Sequence, residues 1–205
     1  MGTLTDPVSD ARSLSLCFDP RGDELLSSDP FALVVGMLLD QQMPMERAFL
    51  GPWRLAERMG TPQRLDVALI AAHDPEAFVA LASTPPAVHR FPGSMAGRIQ
   101  GLARHVVTDY AGDTAAIWRS VPTGPALYLR LLALPGYGDQ KARILLALLG
   151  KQLGVQPRGW RQAAGAYGEL GSHRSVADVI DKQSLVAVRT FKQEAKAAAA
   201  AAPPR

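Results

Sequence analysis

Apolar residues recur along this chain at intervals of three and four, the spacing that gathers them on one face of an α-helix. Residues 31–40 are apolar nearly all round, so we expect a central, buried helix that begins near Asp29-Pro30. Similar patterns and helix-start signals predict further helices at 45–60 with a bend near Gly51-Pro52, and at 65–70, 78–81, 94–107, 115–119, 124–132, 139–149, 175–180 and 184–202. The pattern therefore predicts an all-α protein, and it assigns no element to residues 1–28.

A short turn between two of these helices, residues 134–138, carries the clearest chemical signal. Pro135 lacks an N–H and ends the first helix, while Gly136 and Gly138 permit backbone conformations with positive φ. Asp139 or a neighbour then begins the second helix. The amides of the turn and of the new helix converge on one spot, which suits an anion such as phosphate. The alternative is an ordinary helical hairpin with a glycine turn.

Composition narrows the class of protein without naming a function. The 205 residues are 47% hydrophobic and 20% charged, with a net charge of +3, so a packed globule is expected and nucleic-acid binding is permitted but not required. The sole cysteine, Cys17, excludes a disulfide framework and a cysteine-based metal site. The first residues show no signal-peptide pattern, and the apolar stretches are too short to span a bilayer. We expect a cytoplasmic monomer without cofactor, metal or membrane contact.

Two stretches resemble one family, the helix-hairpin-helix/Gly-Pro-Asp superfamily of DNA glycosylases, which includes endonuclease III and the adenine and alkylpurine glycosylases. Leu134–Ala142 is similar to the family's hairpin, whose backbone amides hold the phosphates of the lesion-bearing strand. Ser28–Ala48 resembles its first core helix and the glutamine-bearing loop that follows, and the Gln-Gln pair is closest to the alkylpurine branch. The resemblance covers about residues 29–150. It implies that DNA is bound by Leu134, Pro135, Gly136, Tyr137, Gly138, Gln140 and Lys141.

The glutamine pair after the first core helix is the second site that the resemblance marks. In the family, a glutamine matching Gln42 enters the DNA stack near the flipped nucleotide, and Gln41 lies beside it. A side chain that fills the vacated space offsets part of the unstacking energy. From the residues alone, the pair also fits a solvated helix end before Pro44. Residues 84–94, with His89, predict a solvated loop that lies near the DNA backbone in the family.

The sequence departs from the family at both recognised catalytic positions. Active members carry an aspartate after the hairpin's second helix, and the count places that position at or next to Arg158, in a loop without a carboxylate. Lyase-active members carry a lysine where Gln140 stands, and Lys141 is rotated from it by about 100° around a helix. Arg143 and Arg158 could each hold a phosphate. The candidates for a replacement carboxylate are Asp40 and Asp139, although each also fits a cap or solvated residue.

The resemblance implies a two-lobed, helical glycosylase-like fold with the hairpin at the lobe boundary. We expect an N-terminal segment 1–28 that packs on the second lobe, a core 29–150, C-terminal helices 151–196 and a disordered tail 197–205. The implied function is base-excision repair, in which the protein binds damaged double-stranded DNA and hydrolyses the N-glycosidic bond of an alkylated base without lyase activity. The alternatives are a non-catalytic damage-binding module that has lost its aspartate and a helical protein that does not bind nucleic acid.

Overall fold

The computed structural model describes residues 13–201, which form ten α-helices. The helices are α1 Pro20–Ser28, α2 Pro30–Leu39, α3 Met45–Arg58, α4 Val67–Ala72, α5 Pro75–Ser83, α6 Pro92–Tyr110, α7 Gly124–Leu132, α8 Asp139–Gln152, α9 Trp160–Ala164 and α10 Lys182–Ala201. Three single turns of 3-10 helix lie at Thr114–Ile117, Gly165–Gly168 and Val176–Asp178. Over the described residues there is no β-strand, only one isolated bridge between Thr123 and Arg158. The prediction of an all-α protein is confirmed.

Most helices begin at a side chain that accepts a hydrogen bond from a first-turn amide, which satisfies donors that the helix itself leaves unpaired. The capping residues are Asp19 for α1, Asp29 for α2, Asp66 for α4, Asp74 for α5, Thr123 for α7 and Asp181 for α10. The pair Asp19-Pro20 gives α1 the same start as Asp29-Pro30 gives α2. The sequence analysis assigned no element there, so α1 was missed despite a readable signal.

Helix α2 lies at the centre of the core, because every residue from Phe31 to Leu39 is buried. Helices α1 and α3 pack against it. A Cβ atom at Gly36 would lie 2.7 Å from Cδ1 of Phe49, so the glycine allows α3 to approach α2 closely. Helix α3 runs without interruption through Pro52, where a bend was predicted. Proline there removes one backbone donor, and its burial against the core offsets that loss.

The other helices form two further groups of contacts. Helices α4 and α5 pack against α6, while α7, α8 and α9 pack against one another. The turn Val176–Asp178 packs on the carboxyl end of α8, where the amide of buried Gln152 donates to the carbonyls of Ala177 and Val179 at 3.0 and 3.1 Å. The specific two-lobed arrangement of a glycosylase remains a prediction.

Both ends of the described chain are helical. Residues 13–28 contain α1, whose contacts are with α2 and α3, and the packing of residues 1–28 on a second lobe remains a prediction; residues 1–12 lie outside the described part. Helix α10 continues to Ala201, past the predicted start of a disordered tail at 197, because its alanine run has the highest helix propensity; residues 202–205 are not described. Of the helices within residues 13–201, none combines the length and apolar character that crossing a membrane requires.

Candidate nucleic-acid interface

The turn between α7 and α8, residues 133–138, is fixed against the carboxyl-terminal half of α2. Gly136 has φ +83°, and a Cβ atom there would lie 2.6 Å from Cδ1 of Leu38. The Tyr137 ring is buried, and its hydroxyl donates to the carbonyl of Val34 at 2.7 Å. Burial raises the pKa of Tyr137 well above its ordinary value, so the hydroxyl is a permanent donor. These contacts hold the turn in one position relative to α2.

Lys141, in the first turn of α8, joins the hairpin to the end of α2. Its Nζ donates to the carbonyls of Met37, Leu38 (3.1 Å) and Asp40 (3.4 Å). Burial lowers the pKa of Lys141 to about 8, although the Asp40 carboxylate opposes that change. We expected this cation to face a phosphate, because a lysine at a helix N-terminus opposes the dipole of its own helix. The amine instead lies at the negative end of α2, where the dipole favours a cation.

The first amides of α8 have no protein acceptor. Its N-cap is Gly138, which has no side chain, and the backbone N–H groups of Gly138, Asp139 and Gln140 find no partner among the described residues. All three residues are exposed, and a Cβ atom at Gly138 would meet nothing within 4 Å, so solvent reaches this helix start. The hairpin therefore presents a set of unpaired donors at the positive end of a 14-residue helix.

Two other long helices also begin without a side-chain cap, α3 at Pro44 and α6 at Phe91. Both starts adjoin residues 40–44, which we call the Gln loop. The ring of His89 donates from Nε2 to the Gln41 carbonyl at 2.9 Å and accepts at Nδ1 from the Phe91 amide at 3.0 Å, which fixes its tautomer. Three uncapped helix starts are therefore linked to the Gln loop, α3 by chain continuity, α6 through His89 and α8 through the side chain of Lys141.

The loop between α5 and α6 differs from its prediction at His89 and agrees with it at Phe91. His89 was expected in a solvated loop, but it is only 4% exposed, because its two ring nitrogens complete the bonds just described. Phe91 is 49% exposed, and the guanidinium of Arg90 lies 4.8 Å from its ring centroid. Hydrophobic spacing could not separate these positions, since both lie outside a periodic segment. Phe91 adds an exposed aromatic face beside the Gln loop.

The two glutamines of the Gln loop have different environments. The Gln41 side-chain amide donates to the Leu38 carbonyl at 2.8 Å and is half-buried, so it completes the end of α2. Gln42 is exposed and has φ +53°, a left-handed conformation that few residues other than glycine adopt. Such strain costs roughly 1–3 kcal/mol, and it is characteristic of functional positions. The structure thus singles out Gln42 as the glutamine that projects from the surface.

The two candidate carboxylates also lie in different surroundings. Asp40 is half-buried, and burial raises its pKa while nearby Lys192 and Lys141 oppose the rise. Asp139 is exposed, and its pKa is lowered by hydrogen bonds from the Tyr128 hydroxyl at 2.6 Å and from Nε of Arg143 at 2.7 Å. Asp139 is therefore an engaged surface residue. Asp40 is the candidate with the perturbed environment of a reactive group, and it lies two residues from Gln42.

Two of the predicted polar contacts, Arg143 and Gln140, are hydrogen-bonded to the C-terminal segment, and the third, Arg158, is exposed. Arg143 donates from Nη1 to the Ala163 carbonyl at 2.7 Å, and the Gln140 amide donates to the Tyr167 hydroxyl at 3.0 Å. Arg158 is exposed, while its backbone carbonyl accepts from the Gly124 amide at 2.8 Å. The hairpin would therefore contribute backbone amides rather than these side chains to a ligand.

In comparisons with protein-family models, curated proteins and solved structures, no match to this chain was found. The similarity of Leu134–Ala142 to a family motif thus stays a prediction. Any function has to be inferred from the contacts of the described residues.

Proposed function

We propose that this chain is a base-excision DNA repair protein, which binds duplex DNA around a damaged base and hydrolyses the N-glycosidic bond of that base. The observation that carries the proposal is that three uncapped helix starts are each linked to the Gln loop, which presents an exposed, left-handed Gln42. Unpaired amides and positive helix ends attract a polyanion without reading its sequence. Repair proteins that search for lesions need this type of contact.

The hairpin supplies the principal phosphate contact in this proposal. The amides of Gly138, Asp139 and Gln140 are unpaired and belong to exposed residues, so a phosphate oxygen can accept from them directly. The amine of Lys141 and the hydroxyl of Tyr137 hold this group of amides at a fixed position relative to the Gln loop. A DNA strand bound at the hairpin would therefore have a fixed position relative to Gln42.

Gln42 would then occupy the space that a flipped nucleotide leaves in the base stack. Its left-handed backbone holds the side chain outside the protein surface before DNA arrives, which reduces the ordering required on binding. The exposed ring of Phe91 lies in the neighbouring loop, where it could stack on a base. Contacts of these two side chains with the bases around the gap would offset part of the free energy of unstacking.

Asp40 is the carboxylate that we assign to the chemistry. Hydrolysis breaks the bond between the sugar C1′ and the base nitrogen, and water adds its oxygen to C1′ as the base departs. Positive charge builds on the sugar, and an ionised Asp40 would stabilise it and take the proton that the attacking water releases. An alkylated purine that already carries a positive charge leaves without needing a proton. Gln140 has no amine and Lys141 is bonded to three carbonyls, so base release should occur without strand cleavage.

A second candidate function is a damage-binding module without chemistry. It is favoured by the segment after α8, where the expected aspartate is replaced at or next to Arg158 and residues 155–160 contain no carboxylate. A guanidinium at that place would oppose the positive charge on the sugar. Both candidates share the same mode of DNA binding.

The deciding experiment combines binding and base release. Fluorescence anisotropy should show salt-dependent affinity for duplex DNA, with tighter binding to a duplex that holds an abasic analogue. Incubation with a lesion panel, followed by alkali, should reveal abasic sites on alkylated purines, and borohydride should trap no covalent adduct. Binding without base release would favour the second candidate. Absence of binding at low salt would refute both, and an adduct abolished by Lys141→Ala would show that Lys141 is a nucleophile.

A further inference from the structure

Helix α3 carries three arginines on one face. Arg47, Arg54 and Arg58 are separated by seven and four residues, which places them within about 40° of one another around the helix. Arg47 and Arg58 are eleven positions apart, which corresponds to about 16 Å along the axis. We call these three side chains the arginine face of α3. The sequence analysis singled out none of them.

Among the described residues, the three guanidiniums lack carboxylate partners, and only Arg58 has carbonyl acceptors. Within residues 13–200, none lies within 4 Å of a carboxylate. Arg58 donates to the carbonyls of Leu81 at 2.7 Å and Pro86 at 3.0 Å, so its position is fixed by the loop before α6. Arg47 is exposed. Arg54 is half-buried, and its Nη1 is inaccessible and finds no acceptor among the described residues.

The positive charges of this face repel one another, and the pKa of Arg54 shows the effect. Burial lowers the pKa of Arg54, and the charges of Arg58 and Arg47 lower it further, with only a weaker opposing contribution from Asp19. An anion beside this face would offset the repulsion at Arg54. Three like charges at helical spacing call for a partner with several negative charges at regular intervals.

The position of the face selects the kind of partner. Arg47 lies in the first turn of α3, five residues after Gln42, so the face begins at the Gln loop and runs away from it. Duplex DNA carries one phosphate per strand for about every 3.4 Å of its axis, so a 16 Å face can meet several of them. A DNA duplex that is bound at Gln42 would extend along this face.

We propose that the arginine face of α3 is a second contact for the DNA backbone, which binds phosphates of the duplex beyond the nucleotide that faces Gln42. The inference rests on the proposed function for the placement of DNA at the Gln loop. It adds a side-chain contact to the amide contacts of the hairpin. Each arginine that releases counterions from the phosphates should steepen the salt dependence of binding.

The test uses the full chain and a 20-base-pair duplex in anisotropy titrations at several salt concentrations. Arg47→Gln and Arg54→Gln together should lower affinity at least tenfold and reduce the slope of log affinity against log salt by about 2, one per lost phosphate contact. Arg104→Gln removes the same charge from an exposed position on α6 and should change affinity less than threefold. Arg47→Gln alone, at an exposed site where folding is not at stake, should lower the slope by about 1.

The outcomes separate this proposal from the proposed function. If wild type binds DNA but the α3 variants behave like Arg104→Gln, the arginine face is not a DNA contact, while the hairpin interface stands. If wild type does not bind DNA at low salt, the proposed function fails and this inference fails with it. A thermal unfolding curve matching wild type assigns any loss in the double variant to the interface. If the double variant unfolds early, Arg47→Gln alone decides.

Discussion

Helix starts in this protein differ in whether a side chain of the protein accepts hydrogen bonds from the amides of the first turn. Six helices begin at an aspartate or threonine whose side chain accepts from the first turn. The long helices α3, α6 and α8 begin at Pro44, Phe91 and Gly138, none of which provides a cap. The capped starts are closed to ligands because their donors are used, whereas the uncapped starts keep theirs available.

The difference follows position rather than chance composition. A side-chain cap contributes typically about 1 kcal/mol, and this chain uses aspartate for that purpose at five of its starts. Apart from the five-residue helix α9, which begins at Gly159, the uncapped starts are linked to the Gln loop through His89, Lys141 and direct chain continuity. Helix starts that lack this stabilising cap mark the surface where we expect a hydrogen-bond acceptor from outside the protein.

The largest effect should come from the glycine that fits the hairpin to α2. We expect Gly136→Ala to lower the free energy of unfolding by about 3 kcal/mol, because its φ is positive and a Cβ atom would overlap Leu38. Urea denaturation would measure this loss. Gly138→Ala is the matched control, since φ there is −109° and the space is open, and it should change stability by less than about 1 kcal/mol. Equal losses would mean that the two glycines do not differ in packing.

The next effect concerns the link between the uncapped start of α8 and the end of α2. The pKa of Lys141 in the folded protein is about 8, below the 10.5 of an ordinary lysine, because the amine is buried. Between these values the unfolded chain binds more protons than the folded chain, so the free energy of unfolding should rise with pH. From pH 7.5 to 9.5 we expect a gain on the order of 2 kcal/mol relative to Lys141→Met, which lacks the titrating group. Parallel pH curves for the two proteins would show that the amine keeps an ordinary pKa.

The helices themselves were predictable where a local signal was strong. Continuous apolar residues identified α2, and Pro135 with its two glycines identified the turn between α7 and α8. Helix α1 carried an equally good start in Asp19-Pro20, but its few apolar positions gave no clear period. Local signals thus sufficed for most of the fold.

The candidate interface was only half predictable, because its decisive contacts join residues far apart in sequence. The hydrogen bonds of Lys141 reach residues about 100 positions earlier, and those of His89 reach Gln41. Nothing in a local pattern distinguishes a lysine that meets phosphate from one that meets a distant carbonyl. The positive φ of Gln42 likewise follows from how the Gln loop closes between α2 and α3, which a single sequence does not show.

A side-chain cap added to an uncapped helix start should lower the affinity for DNA without lowering the free energy of unfolding. Gly138→Asp places a carboxylate at the N-cap of α8, where it can accept from the free amides. We expect stability to be unchanged or to rise by a few tenths of a kcal/mol, while affinity for duplex DNA falls about tenfold, or roughly 1.4 kcal/mol. Gln183→Asp adds the same charge at the already capped start of α10 and should change affinity less than twofold. If both variants lose affinity equally, net charge and not the hairpin amides governs binding.

The smallest effect should appear at Gln42, where the uncapped start of α3 meets the proposed lesion. Gln42→Ala should weaken binding to a duplex with an abasic analogue about fivefold, and to intact duplex less than twofold, because only the first has a gap to fill. Gln42→Gly should lose affinity in the same way yet raise the free energy of unfolding by about 0.5–1 kcal/mol, since glycine adopts φ +53° without strain. Gln41→Ala is the control for the neighbouring amide, which bonds to Leu38 and should affect stability rather than lesion preference. Equal losses on both duplexes would assign Gln42 a structural role.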